Sequence, residues 1–66
     1  MSDIKKEIVK ALSNADDGLT IQNLIDITKR SRGSIKMNLL YLMLDNEVRE
    51  IAYTKNSKVY KLNSDG

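Results

Sequence analysis

The side chains of this sequence best suited to recognition chemistry are its lysines and arginines, which concentrate in two windows without any acidic residue. One window covers residues 27–44 and the other covers residues 51–64. Their cations are Lys29, Arg30, Arg32, Lys36, Lys55, Lys58 and Lys61. A guanidinium fork can bind guanine O6 and N7, and hydroxyls beside free backbone N–H groups at a helix start can hold a phosphate. This chemistry indicates nucleic acid as the partner.

Other chemistries are excluded by the residue inventory. The chain has no cysteine and no histidine, which removes zinc fingers, disulfides, thiol nucleophiles and imidazole bases. Adjacent Asp16 and Asp17 fall short of a coordination set, so we expect no metal and no cofactor. Because 66 residues are too few to enclose a substrate cavity, we expect neither catalysis nor a small-molecule ligand.

Length and hydropathy predict one soluble domain spanning residues 1–66. The longest apolar run covers residues 39–44, far short of the roughly 18 residues needed to cross a bilayer. The first residues lack the order of a signal peptide, so we expect a cytoplasmic protein without membrane contact. Such a small domain is marginally stable, and a partner copy would help it.

Apolar spacing predicts two helices in the first half of the chain. The first covers residues 3–14, with Ser2 or Asp3 as its cap, and ends before a turn at Asp16-Asp17-Gly18. The second covers residues 21–29, with Thr20 as its N-cap.

A third helix is predicted over residues 32–45, capped by Ser31, with Ser34 as the alternative start. Its packing stripe consists of Ile35, Leu39, Leu42 and Met43. The other side carries Gly33, Met37, Leu40, Tyr41 and Leu44. A helix that is apolar nearly all round is normally buried on more than one face, so something must cover this side.

The last part of the chain predicts a hairpin over residues 48–62 and a frayed tail over residues 63–66. Tyr53 and Tyr60 are expected to pack in the hairpin or core rather than to stack on bases. The two strands must lie against the helices, because an isolated hairpin is not stable in water.

This order of elements resembles the winged helix-turn-helix regulators. The resemblance covers nearly the whole chain and rests on residues 19–24, residues 31–42, Val48 and Tyr60-Lys61-Leu62. Lys36 ahead of Leu39-Leu40 and Leu42 is similar to the small fimbrial phase-variation regulators. The resemblance implies an α+β, mostly α fold: three helices forming a winged helix-turn-helix, with a C-terminal two-stranded hairpin as the wing.

The resemblance also implies a sequence-specific transcriptional regulator that binds double-stranded DNA. The N-terminus of the third helix would enter the major groove, and the wing would touch phosphate or the minor groove. The implied DNA-binding residues are Lys29, Arg30, Ser31, Arg32, Ser34, Lys36, Met37, Lys55 and Lys58.

The apolar residues further along the third helix are poor DNA ligands. Leu40, Tyr41 and Leu44 therefore predict an interface, either for a homodimer or cooperative oligomer or for a partner protein. In the alternative interpretation, the chain is a winged-helix protein-interaction module, and its basic residues only keep it soluble.

Overall fold

The structure is a computed structural model that describes residues 3–52 and 57–63. Tyr53 and Lys55 lie outside the described residues, as do residues 64–66 of the predicted tail. The elements in chain order are α1 (Ile4–Ser13), α2 (Ile21–Thr28), α3 (Arg32–Leu44), β1 (Val48–Ala52) and β2 (Lys58–Leu62). The predicted class, α+β and mostly α with a C-terminal hairpin, is confirmed.

The start of α2 is held by a reciprocal pair of hydrogen bonds. Thr20 Oγ1 accepts a hydrogen bond from the Asn23 backbone N–H, and Asn23 Oδ1 accepts one from the Thr20 backbone N–H. Both donors would otherwise lack an intrahelical partner. At α1, Asp3 is the N-cap residue, one of the two predicted, but its side chain makes no capping hydrogen bond. Ser2, the other, lies outside the described residues.

A tight turn joins α2 to α3. Lys29 adopts a left-handed conformation with φ 60° and donates its N–H to Ile25 O, which ends α2 one residue before the predicted boundary. Ser31 then caps α3 as predicted, because its Oγ accepts the Ser34 N–H at 3.3 Å. The turn thus delivers Arg32 as the first helical residue of α3.

The core lies where the three helices meet the hairpin. Its fully buried side chains are Ile8, Leu24, Ile35, Leu39 and Leu42. The stripe predicted on α3 is therefore the packing face, with Met43 half-buried at its margin. No helix in residues 3–52 and 57–63 is long and apolar enough to cross a membrane.

The hairpin is tied to the α1–α2 loop as well as folded on itself. Strands β1 and β2 are antiparallel with Val48 opposite Leu62 and Ala52 opposite Lys58. An isolated bridge joins Leu19 to Tyr60, with each backbone N–H donating to the other residue's carbonyl at 3.0 and 2.8 Å. This bridge fixes the hairpin beside the start of α2.

The end of β2 is held in place, so the predicted fraying does not begin at residue 63. The Asn63 backbone N–H donates to Glu47 O at 2.9 Å, and Asn63 Nδ2 donates to Asn46 O at 2.8 Å. These bonds close the hairpin onto the loop that follows α3.

Candidate nucleic-acid interface

Two open grooves flank the beginning of α3. The α2–hairpin groove, of about 410 Å³, lies between the start of α2, Arg32 and the hairpin residues Ser57 and Lys58. The α3–hairpin groove, of about 640 Å³, lies between the exposed face of α3 and the same hairpin. Residues along the second groove include Gly33, Lys36, Met37, Leu40, Glu50 and Lys58.

Lys58 lines both grooves. Its ammonium group lies 3.7 Å from Glu50 Oε2, and its side chain remains 60% exposed. The Tyr60 hydroxyl donates to the same Glu50 oxygen at 3.1 Å. Burial, followed by the neighbouring Glu50 carboxylate, raises the pKa of Tyr60, which keeps the phenol neutral. Glu50 thus offsets part of the Lys58 charge at the boundary between the grooves.

Arg32 is oriented by a neutral partner. Its Nη2 donates to Gln22 Oε1 at 2.8 Å, which holds the guanidinium over the start of α2. Because an amide carries no charge, the Arg32 cation is positioned without being neutralised by this contact. A guanidinium has five N–H donors, so further donors remain to bind an anion or a base edge.

Arg30 is directed to α1 and away from this arrangement. Its Nε and Nη2 donate to the two carboxylate oxygens of Glu7 at 3.3 and 2.8 Å. The hydrogen bond from Arg30 lowers the pKa of the Glu7 carboxyl, and the same contact raises the pKa of Arg30. The structure therefore places this predicted DNA contact in an ion pair between α1 and the α2–α3 turn.

The remaining predicted residues divide into three places. Lys29 is exposed in the turn, while the hydroxyls of Ser31 and Ser34 hydrogen-bond to each other at 3.1 Å. Lys36 and the half-exposed Met37 line the α3–hairpin groove. Lys55 lies outside the described residues.

Leu40 lies at the edge of the α3–hairpin groove, whereas Tyr41 and Leu44 are exposed beyond both basic grooves. Lys5 of α1 places its ammonium group 5.8 Å from the centre of the Tyr41 ring. This spacing is typical of a cation–π contact. The last two turns of α3 therefore form a surface shared with α1.

Three residues that shape the grooves did not emerge from the sequence. Gln22 orients Arg32, Ser57 lines the α2–hairpin groove, and Glu50 pairs with Lys58. The Glu50–Lys58 pair could have been predicted from the register of the hairpin. Residue 50 lies opposite residue 60, which places it diagonal to residue 58. The role of Gln22 could not be predicted from the sequence, because it depends on the tertiary contact between the starts of α2 and α3.

Comparison with known proteins returned no match to this chain among protein-family models or among curated proteins.

Proposed function

We propose that the chain is a winged helix-turn-helix protein of the cytoplasm that binds double-stranded DNA sequence-specifically and regulates transcription. One observation carries the proposal: Lys58 of the hairpin lines both grooves, beside Arg32 in one and Lys36 in the other. Arg32 and Lys36 belong to α3 and Lys58 belongs to β2, and Glu50 is the one acidic side chain on the described linings. An open, basic concavity between a helix and a hairpin suits a phosphate backbone.

The two sides of this concavity have different roles in the proposal. The first turns of α3 enter the major groove, where Arg32 can bind guanine in a bidentate manner and Met37 can contact a thymine methyl group. Lys58 contacts phosphate from the hairpin, as a point charge without base preference. Gln22 keeps the Arg32 fork in place before DNA arrives.

The alternative function, a protein-interaction module, is favoured by the second half of α3. Leu40 and Tyr41 are each 47% exposed and Leu44 is 72% exposed. Tyr41 and Leu44 line neither groove, so a protein partner on these two residues is compatible with DNA binding at the start of α3.

Salt dependence tests the DNA proposal. About five phosphate contacts predict a slope of log K against log salt near −4 to −5 for a DNA duplex. Lys58→Ala should weaken all sequences alike and reduce the slope by about 1, whereas Arg32→Ala should cost about 1–3 kcal/mol on a preferred sequence and relax base preference. Fluorescence anisotropy over a series of salt concentrations measures both quantities.

Lys10→Ala is the matched control, because this exposed lysine of α1 lines neither basic groove. It should leave affinity and slope close to wild type. If wild-type protein fails to bind any duplex at low salt, or binds without salt dependence, the DNA proposal is wrong. Equal losses on every sequence for Arg32→Ala would show that Arg32 contacts phosphate alone.

A further inference from the structure

The last two turns of α3 expose a compact set of large apolar side chains. We call Leu40, Tyr41 and Leu44 the C-terminal patch. Leu44 is four positions after Leu40 and three after Tyr41, so it neighbours both on one side of the helix, and each of the three is at least 47% exposed. Scattered single apolar residues are normal at a surface, but an apolar cluster on adjacent turns is typical of an interaction site.

Charges next to the patch argue against nucleic acid as its occupant. Exposed Asp45 follows Leu44 directly, and exposed Glu47 lies two residues further on. A phosphate backbone laid over Leu44 would meet these carboxylates at close range. The occupant that fits an apolar centre with charged margins is a protein.

We propose that the C-terminal patch binds the same patch on a second copy of this chain, with the two α3 helices antiparallel. In this two-fold arrangement, Tyr41 packs against Leu44 of the second copy, and Leu44 packs against the second copy's Tyr41. Tyr41 and Leu44 of each copy thereby gain an apolar partner, in the reciprocal manner of a self-complementary interface.

Charge complementarity selects this occupant and this direction. The Lys5 ammonium group lies beside the Tyr41 ring, and Asp45 adjoins Leu44. Antiparallel pairing therefore brings Lys5 towards the second copy's Asp45, and the two-fold axis repeats this contact. Parallel pairing would instead bring lysine towards lysine and aspartate towards aspartate.

The interface does not depend on the proposed DNA binding. Arg32 lies more than two helical turns before Tyr41, and no patch residue lines the α2–hairpin groove, which stays open in the pair. The α3–hairpin groove shares Leu40 with the patch. An interface built on three side chains per copy buries a small area for a specific interface, below about 1,200 Å² of total accessible surface. We therefore expect a reversible dimer whose population rises with protein concentration.

Sedimentation velocity on the wild-type chain, from about 1 μM to about 1 mM, should show a monomer that converts to a dimer. Leu44→Glu should weaken the dimer at least about tenfold, because it buries a carboxylate in an apolar contact. The helical circular dichroism of this variant should match wild type, since Leu44 is the most exposed of the large apolar side chains described.

Mixing two charge-reversal variants tests the antiparallel contact specifically. Lys5→Asp places two aspartates in apposition at each contact, and Asp45→Lys places two lysines there, so each variant alone should dimerise about tenfold more weakly than wild type. An equimolar mixture should recover dimer, because the heterodimer restores a lysine–aspartate pair at both contacts. An effect of either substitution within its own chain would not be repaired by mixing.

Lys10→Asp serves as the control of equal charge change on α1, and it should dimerise like wild type. A wild-type chain that stays monomeric throughout the range would overturn the proposal and leave the patch to another protein. A dimer that persists in Leu44→Glu, or a mixture that associates no better than its components, would also overturn it.

Discussion

Two arginines two positions apart have different partners, and this difference separates their roles. Arg30 donates to a carboxylate, so binding DNA through it would first require breaking an ion pair with Glu7. Arg32 donates to a neutral amide and keeps an uncompensated charge in its groove. We therefore propose that Arg30 braces the α2–α3 turn against α1, while Arg32 contacts the nucleic acid.

The Glu7–Arg30 ion pair, which we call the brace, predicts that the stability of the fold depends on pH. Because the folded-state pKa of Glu7 is below its ordinary value of 4.5, the ion pair stabilises the fold above that value and is lost as the pH falls through the lowered pKa. Glu7→Gln should therefore melt at a lower temperature than wild type near about pH 7, and the difference should vanish in acid. Thermal unfolding followed by circular dichroism across pH measures this difference.

Glu47→Gln is the matched control for this comparison, because it removes an exposed carboxylate outside the brace. Its melting temperature should not show the same approach to wild type in acid. A Glu7→Gln difference that remained constant from neutral to acidic pH would contradict an ionic brace and leave only a packing role for Glu7.

At the residue scale, charge clustering was enough to find Arg32, Lys36 and Lys58 around the grooves. The roles of Glu7 and Gln22 could not be found in this way, because each depends on a contact between residues far apart in the chain. Glu7 and Arg30 form their hydrogen bonds although they are 23 positions apart in the sequence. Counting charges along the sequence identifies clusters of cations. Which residue each cation contacts depends on how α1 and α2 pack.

The helices could be predicted from local sequence features. The position of the hairpin relative to α2 depends on a contact made by the α1–α2 loop. Apolar periodicity and the caps Thr20 and Ser31 predicted α2 and α3 to within one residue at each end. The Leu19–Tyr60 bridge was not predicted, since its two residues belong to different parts of the chain. Gly18 makes the bridge possible with φ +85°, packed against the β2 backbone.

Gly18→Ala should destabilise the fold by about 2–4 kcal/mol. An added Cβ would combine an unfavourable positive φ with contacts to Val59 and, at 2.9 Å, Tyr60 O. Gly33→Ala is the matched substitution, because nothing lies within 4 Å of its added Cβ and alanine favours helix, with a gain of up to about 1 kcal/mol. Urea unfolding of both variants measures these energies, and similar values for the two would contradict the packing role of Gly18.

In the whole molecule, the cations Arg32 and Lys36 lie in the first two turns of α3, whereas Tyr41 and Leu44 of the patch lie in its last turns. If two copies pair through the C-terminal patch, their Arg32 side chains become related by a two-fold axis. Such symmetry in the protein predicts matching symmetry in the DNA site. The proposed regulator would then read two inverted half-sites, and each half-site would contribute part of the affinity.

Selection of binding sites from random duplexes should therefore enrich inverted repeats for the wild-type chain. The Leu44→Glu variant should enrich single half-sites of the same sequence, because its base-reading residues are intact while pairing is weakened. Sequencing of the selected pools distinguishes the two patterns. Direct repeats from the wild-type chain would contradict a two-fold pair on DNA.

The bridge between Leu19 and Tyr60 also closes the chain into a ring that contains α2, α3 and β1. Closing so large a loop has an entropic cost that must be met before the contacts it permits can form. The two grooves lie between elements inside this ring and the strand that closes it. The proposed DNA recognition through these grooves therefore requires this ring to be closed.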